Sequence, residues 1–137
     1  MPGTFHLSVV APDRSVAEET VTSVVIPGTM GYFGVWNGRS PFVSAIKPGI
    51  LWFQTASGEQ QHVAVGGGFA EVLPDKTTIL ANHANRATDI DVQHAREMLE
   101  SARRALRGED SSLTREQAAE QLEIAIQSLK AAGHKDF

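Results

Sequence analysis

The residues of this chain that most resemble a ligand-binding motif are three consecutive glycines, Gly66, Gly67 and Gly68. Glycine-rich loops cradle phosphates when a Lys-Ser or Lys-Thr pair and a helix follow, because the backbone amides and the lysine then face the phosphate oxygens. Here the glycines are followed by residues 69–73, an apolar run that is typical of a strand. We therefore interpret the glycines as a bend between two strands and expect no phosphate site there.

The histidines and serines are not spaced for metal binding or nucleophilic catalysis. The five histidines show none of the paired spacings that are typical of zinc sites. Ser40 and Ser44 lack a sequence signal for a neighbouring base and an orienting acid. We therefore expect no metal and no covalent catalysis. The histidines are His6, His62, His83, His94 and His134.

Two pairs of adjacent carboxylates, Glu18-Glu19 and Glu109-Asp110, are the remaining candidates for acid and base chemistry. We interpret both pairs as solvated turn charges rather than as a general acid and base. The sequence therefore contains no recognisable catalytic constellation. We expect a protein that is not an enzyme by itself.

Arginines near the C-terminus form the clearest charged feature. They give a predicted helix a partly basic face, which serves either ordinary solubility or contact with an acidic partner surface. Ordinary solubility is the commoner role of such a face, whereas contact with a partner suits a segment that we interpret as a movable arm. These arginines are Arg96, Arg103, Arg104 and Arg107.

Composition excludes several classes of protein. The 137 residues carry a formal net charge of −4, and neither the first 86 residues nor the rest is basic, so a nucleic-acid partner is not expected. The chain has no cysteine and therefore no disulfide framework or thiolate metal site. It contains no apolar run long enough for a membrane span and no secretory signal, so we expect any membrane association to come through a partner.

Turn residues divide residues 1–87 into short apolar runs. Residues 5–10 alternate apolar and polar side chains, and so do residues 16–26, as expected for strands with one buried face. Asn37-Gly38 can supply the two positive-φ residues of a tight hairpin turn, and Lys47-Pro48-Gly49 introduces a further strand. This spacing predicts an all-β sandwich that serves as a docking domain.

Residues 88–137 predict an antiparallel hairpin of two amphipathic helices. Asp89 or Asp91 can cap the first helix, and Gly108 can end it. Thr114 can cap the second helix, with Gln117 completing a capping box. The apolar seam is rich in alanine and buries little area, and isolated helices of this length are marginal in water. We therefore expect the hairpin to need another surface, either the β-body or a partner.

The order of these segments resembles the epsilon subunit of the rotary F-type ATP synthase over nearly the whole chain. One segment that carries the resemblance is the family's Gly-x-x-Gly-Ile-x-Pro-Gly-His-x-Pro-Leu stretch, and the order and spacing of all the segments, together with the two-helix tail, make it specific. Other matching segments are residues 5–13, 45–49, 67–72, 78–81 and 89–92. The counterpart of the stretch here is Gly31-Tyr32-Phe33-Gly34-Val35-Trp36-Asn37-Gly38-Arg39-Ser40-Pro41-Phe42.

The resemblance implies a non-catalytic rotor component of a proton-translocating enzyme. The body would clamp the gamma subunit and rest on the c-ring, coupling ion flow to ATP synthesis. The helices would fold against the body or extend into the alpha/beta catalytic hexamer and inhibit ATP hydrolysis. The implied location is the cytoplasmic face of a bacterial inner membrane, peripheral through the complex. Partner contacts are then expected at Arg39, Ser40, Pro41 and Phe42, and at the four helix arginines.

The nucleotide motif of ATP-binding family members is incomplete in this chain. That motif reads Ile/Leu-Asp-x-x-Arg-Ala, and Ile90, Asp91 and Ala95 match it, but His94 replaces the arginine. A neutral imidazole cannot replace a charged, bidentate guanidinium on a phosphate. We therefore expect weak ATP binding or none, and no other cofactor.

Two other classes of function remain as alternatives. A stand-alone β-sandwich binding module for carbohydrate would use Tyr32, Trp36 or Trp52 as a platform. Such a module has no use for a helical arm. An enzyme comes third, because no catalytic constellation is present.

Overall fold

The computed structural model describes residues 3–133, so residues 1–2 and 134–137, His134 among them, lie outside the described part. Seven strands come first in this part, and helices follow. The strands are β1 (Phe5–Ala11), β2 (Arg14–Gly28), β3 (Gly31–Val35), β4 (Phe42–Thr55), β5 (Gln60–Leu73), β6 (Lys76–Ala81) and β7 (Ala84–Arg86). The helices are a 3-10 turn (Ala87–Asp89), α1 (Val92–Leu106) and α2 (Arg115–Ala132).

The strands form one sheet whose ends meet. The hydrogen-bonded order is β1-β6-β5-β4-β2-β3, and β1 also pairs with β2. β2 serves both neighbours because its residues up to Val21 lie against β1 and those from Val21 onward lie against β4. The β1–β6 pairing is parallel, and the others are antiparallel. The predicted β-body followed by a helical hairpin is confirmed, as a sandwich closed into a barrel-like shape.

Alternation along the strands fills the interior of this body. In β1, Phe5, Leu7 and Val9 are buried, as the sequence pattern predicts. Phe53 of β4 is the largest fully buried side chain. The main core is therefore made by the strands alone. Its other fully buried side chains are Val21, Val24, Ile26, Val35, Leu51, Val63, Val65, Val72 and Ile79.

The three glycines do not separate two strands, so that prediction is wrong. They lie inside β5, which continues through them while its neighbour changes from β6 to β7. Gly67 and Gly68 have φ angles of 101° and 135°, which glycine adopts without a Cβ clash. Pro48 likewise lies inside β4, opposite Gly66. β4 and β5 therefore stay paired through this region, because the proline of one strand and the glycine of the other lie opposite each other at a single bend.

The turn at Asn37-Gly38 also differs from the prediction. Only Gly38 has a positive φ, 86°, and β3 forms its hairpin with β2 rather than with β4. The backbone amide of Gly38 donates a 2.8 Å bond to the carbonyl of Pro74, in the turn before β6. A tertiary contact, rather than a local hairpin, therefore sets the shape of this turn.

Helix capping follows the sequence signals. The carboxylate of Asp91 accepts a 3.2 Å bond from the amide of His94 at the start of α1. Thr114 and Gln117 form the predicted capping box of α2. Gly108, with φ 80°, directly follows the last residues of α1. These local predictions are confirmed.

One buried hydroxyl in the core gives a stability prediction. Thr77 of β6 is fully buried, and its Oγ1 has no hydrogen-bond partner among residues 3–133. Because an unpaired buried hydroxyl is costly, Thr77→Val is expected to raise the free energy of unfolding by about 1 kcal/mol. Urea unfolding measures this, with the half-buried neighbour Thr78→Val as the control. An unchanged or lower unfolding midpoint for Thr77→Val would contradict the prediction.

Candidate functional site at the junction of body and hairpin

The helical hairpin lies against the body through one helix. α2 packs on β4, β5 and the 3-10 turn, and α1 packs on α2. The apolar part of this junction is a small cluster apart from the main core, with four buried side chains, Ala64, Ala87, Ile90 and Ala131, and two partly buried ones packed against them, Ile50 and Ala132. Three of these four side chains are single methyl groups, so their burial contributes little free energy. The hairpin is therefore docked in this structure, and held by a small interface.

Polar side chains complete the junction. Gln127 and Ser128 of α2 are buried facing β5 and β7, beside a small gap lined also by Gly66, His83 and Asn85. The helical periodicity predicts that the buried face of α2 is formed by its aliphatic residues, and it does not indicate this polar face. Gln127 and Ser128 are uncharged and lie between two apolar residues in the sequence, so the sequence does not indicate that they face the body.

A contact between a histidine and a glutamate links the loop after β6 to α2. The Nε2 atom of His83 lies 3.0 Å from a carboxylate oxygen of Glu120. The two residues are 37 positions apart in the chain, so no local pattern predicts their contact.

The residues of the incomplete nucleotide motif come together in a second space at this junction. Ile90, Asp91, His94 and Ala95 all line one cavity of about 280 Å³ between the 3-10 turn, α1 and α2. The cavity is lined further by Asn85, Asp89, Met98, Ile124 and Ser128.

The electrostatics of this cavity do not suit a phosphate. Two carboxylates, Asp89 and Asp91, are among its lining residues, and none of these described residues is a lysine or arginine. The amide of His94, which at an uncapped helix N-terminus would be a free donor, is occupied by the carboxylate of Asp91. A polyanion would therefore meet two carboxylates and a helix N-terminal amide that is already bonded.

The helix arginines lie on the exposed side of α1. Arg96, Arg103 and Arg104 are all exposed. Arg107 is paired within the hairpin, 3.1 Å from Glu109 and 3.7 Å from Glu100. Their role as partner contacts stays a prediction.

The loop before β4 is braced by its own residues. The guanidinium of Arg39 donates to the carbonyl of Gly34 and lies 5.1 Å from the ring centre of Phe42. Ser40 and Pro41 lie between them, and both are exposed. The structure thus presents the predicted contact loop as an ordered surface, and its partner stays a prediction.

The carboxylates Glu18 and Glu19 are strand residues, so their interpretation as turn charges is wrong. Glu18 accepts hydrogen bonds from Ser8, from His6 at 2.8 Å and from Ser15 at 3.1 Å. The bond from Ser8, followed by that from His6, lowers the pKa of Glu18 below its ordinary value. Both serines donate to this carboxylate, and its lowered pKa makes it a weak base toward their hydroxyl groups.

An apolar patch on the sheet is not among the sequence predictions. Phe69 of β5 pairs with Leu80 of β6, and both side chains are more than half exposed, at 58% and 55%. Val43 of β4 is 68% exposed nearby, opposite Glu71. We call Val43, Phe69 and Leu80 the outer apolar face. Its signal is present in the sequence, because alternation that buries Ala70 and Ile79 must turn their neighbours outward.

Two aromatic residues of the carbohydrate alternative, Tyr32 and Trp52, do not form a flat platform. The rings of Tyr32 and Trp52 are 6.0 Å apart and tilted by 31°. The Tyr32 hydroxyl accepts a 3.1 Å bond from the amide of Ile50, which ties this ring to β4.

Membrane-spanning helices and metal clusters are both missing from the described part of the chain. Between residues 3 and 133, no helix is long and apolar enough to cross a bilayer. Over the same range, no group of three or more histidine or acidic side chains is placed to hold a metal ion.

Comparison with known proteins identifies the family. The model of the ATP synthase delta/epsilon chain β-sandwich domain matches residues 4–87. The ATP synthase epsilon chain of Nitratidesulfovibrio vulgaris (strain DP4) is 38% identical over 134 residues, 98% of this chain and 99% of that protein. The epsilon chain of Moorella thermoacetica is 36% identical over 129 residues, 94% of this chain and 96% of its own.

Solved structures show the same fold. A chain in the Euglena gracilis mitochondrial ATP synthase structure (OSCP/F1/c-ring, rotational state 1) matches with a TM-score of 0.78 and 29% identity, covering 98% of this chain and 84% of that one. A chain in the central stalk and c-ring of the Tetrahymena thermophila enzyme matches at a TM-score of 0.57 and 13% identity, covering 95% and 97%. The chain belongs to the family of ATP synthase epsilon chains, which are non-catalytic subunits of that complex.

Proposed function

We propose that this chain is a rotor component of a proton-translocating F-type ATP synthase, with a docking body and a braking arm. The body clamps the gamma subunit and rests on the c-ring, and the helices inhibit ATP hydrolysis when they leave the body. The observation that carries this proposal is the contrast between a strand-only core and a hairpin held by a small, alanine-rich interface. Such an arm changes position at low cost while the body stays folded.

The outer apolar face supports the docking role of the body. Phe69, Leu80 and Val43 expose apolar surface next to a shallow groove of about 360 Å³ that Val10 and Pro12 also line. Exposed apolar patches of this kind mark interaction sites. We assign this face to the gamma subunit, and the loop from Arg39 to Phe42 to the c-ring.

The arginine side of α1 supports the braking role of the arm. Arg96, Arg103 and Arg104 are exposed in the docked state, so they are available to an acidic surface of the catalytic hexamer. The similar chain of the Euglena assembly belongs to a structure that contains F1 and the c-ring. We infer a location on the cytoplasmic face of a bacterial inner membrane, with attachment through the complex.

ATP hydrolysis by the cognate alpha-beta-gamma complex tests the proposal. The rate is measured with no addition, with the full chain, and with a chain ending at Arg86. We expect the full chain alone to slow hydrolysis, although both chains bind, because the truncated chain keeps the whole main core but lacks the arm. Circular dichroism of the truncated chain checks that it folds. Failure of both chains to bind gamma would overturn the proposal.

A full-length variant separates loss of the arm from immobilisation of the arm. The chain has no cysteine, so cysteines introduced at Ala64 and Ala131, which pack in one cluster, are the only thiols. Oxidation then holds the hairpin on the body. We expect oxidised protein to bind gamma without slowing hydrolysis, and reduction to restore the brake. Equal inhibition in both redox states would show that the arm acts without undocking.

We further propose that ATP is not the main switch of this arm. The support is the cavity beside α1, which contains two carboxylates among its lining residues and no described lysine or arginine. Ile90, Asp91 and Ala95 are the positions that would contact a nucleotide if one bound.

Titration calorimetry of the isolated chain with ATP tests this second proposal. We expect no micromolar affinity, because His94 and Ser128 offer no guanidinium to the phosphates. The double variant His94→Arg, Ser128→Arg supplies two guanidinium groups. We expect it to bind ATP at least about ten-fold more tightly, which is a gain of roughly 1.4 kcal/mol in binding free energy. Micromolar binding by the unaltered chain would overturn the proposal.

A further inference from the structure

We propose that His83 and Glu120 form a proton-sensitive clasp, which favours the docked hairpin at acidic pH and weakens its docking as the pH rises. The carboxylate of Glu120 lies 3.0 Å from Nε2 of His83, and the pair joins the body directly to α2. The consequence for hydrolysis rests on the proposed braking function, whereas the clasp itself is a property of the isolated chain.

The backbone holds the imidazole toward α2. The amide of Gly66 donates a 2.8 Å bond to the carbonyl of His83, and the Cβ atom of His83 lies against Gly66, where even a methyl group would be only 3.0 Å away. The histidine is therefore fixed to β5 while its ring reaches the helix. Movement of α2 away from β5 must break the pair.

One charged side chain of the body, Arg14 of β2, reaches the residues that follow His83: its guanidinium donates 2.8 Å bonds to the carbonyl of Ala84 and to Oδ1 of Asn85. The gap beside His83 is lined on α2 by Ile124, Gln127 and Ser128, and on the body by neutral residues that include Asn85. On α2, the carboxylate of Glu120 is the charged group within hydrogen-bond distance of the His83 ring among the described residues. The neighbouring apolar contacts are made by alanines, which do not titrate.

The direction of the effect follows from the charge of the imidazole. Histidine side chains ordinarily change charge between pH 5 and 8. A protonated ring donates a charge-assisted bond to the carboxylate, and a neutral ring keeps at most an ordinary hydrogen bond. Both side chains are about half exposed, so solvent screens the pair. We expect protonation to raise the ratio of docked to undocked hairpin about two- to five-fold.

Fluorescence energy transfer in the full chain measures this ratio. Because the sequence has no cysteine, dyes attach only at introduced thiols. Thr20→Cys on β2 and Ser111→Cys in the loop between the helices are both exposed positions. The transfer efficiency is followed from about pH 5.5 to 8.5, the range in which histidine titrates, in the unaltered background and in His83→Gln and Glu120→Gln. Hydrogen exchange of the α2 amides, measured in parallel, separates undocking from unfolding.

The matched control is a second histidine–glutamate pair that does not involve the hairpin. His6 and Glu18 lie 2.8 Å apart, and both belong to the body. We expect the His6→Gln variant to keep the pH dependence of docking. We expect His83→Gln and Glu120→Gln to lose it. A docked fraction that does not change with pH in the unaltered background, or a change that persists in His83→Gln, would overturn the clasp. The clasp is tested in the isolated chain, whereas inhibition of ATP hydrolysis is measured in the complex. The two proposals can therefore fail independently of each other.

Discussion

Replacing Gly68 by alanine is expected to lower the free energy of unfolding by at least about 3 kcal/mol. The φ of Gly68 is 135°, in a region that residues with a side chain rarely adopt. A Cβ atom there would lie 2.0 Å from the carbonyl oxygen of Leu80 and 3.0 Å from Cα of Ala81. Both are backbone atoms of β6, so they cannot move without breaking the pairing of β5 with β6. Chemical denaturation, followed by tryptophan fluorescence, measures the loss.

Gly58→Ala is the matched control for this substitution. Gly58 also has a positive φ, 93°, but in the turn between β4 and β5 no atom lies within 4 Å of the position that its added methyl group would take. Its substitution is expected to cost only about 1 kcal/mol, from backbone strain alone. Equal losses at Gly58 and Gly68 would show that strain, rather than the close approach of β6, decides the effect.

Replacing Phe69 by aspartate is expected to weaken association with the gamma subunit by about 100-fold, which is roughly 2.7 kcal/mol. Phe69 belongs to the outer apolar face, cross-strand from Leu80. A charge at this position would be desolvated without a partner when gamma covers the face. Calorimetry or surface plasmon resonance with purified gamma measures the affinity. The body should stay folded, because the side chain of Phe69 is already exposed.

Met30→Asp is the control for the added charge. Met30 is 99% exposed in the turn between β2 and β3 and is not part of the outer apolar face. We expect the affinity of the Met30→Asp variant for gamma to stay within about two-fold of the affinity of the unaltered chain. Unchanged binding by Phe69→Asp, or an equal loss in both variants, would remove the outer apolar face from the docking surface.

The helix ends show which features a local sequence pattern can predict. Asp91, Thr114 and Gln117 cap their helices as expected, because each cap is a hydrogen bond between residues three positions apart. Such bonds depend on the local chain and not on the rest of the fold. The buried alternation of β1 is predictable for the same reason.

The three glycines show where local patterns fail. Glycine and proline usually punctuate a chain, so the sequence predicts breaks at residues 47–49 and 66–68. In the structure β4 and β5 pass through these positions side by side, with Pro48 opposite Gly66. Only the pairing of the two strands shows that both irregularities belong to a single bend.

The candidate site also has one part that a local motif predicts and one part that depends on tertiary contacts. Ile90, Asp91, His94 and Ala95 are the positions of a local motif, and the structure places all four around one cavity. The absence of a lysine or arginine from its described lining depends on which other elements reach it, which the motif does not contain. The contact of His83 with Glu120 likewise joins distant segments.

The sequence by itself determined the strand body, the two capped helices and, through its order of motifs, the epsilon family, because these depend on local spacing and on periodicity. The tertiary structure decided which faces remain free. Closure of the sheet leaves Phe69 and Leu80 outside the core, and the docking of α2 buries Gln127 and Ser128. Burial is a property of packed surfaces that meet from distant parts of the chain, so no window of residues contains it.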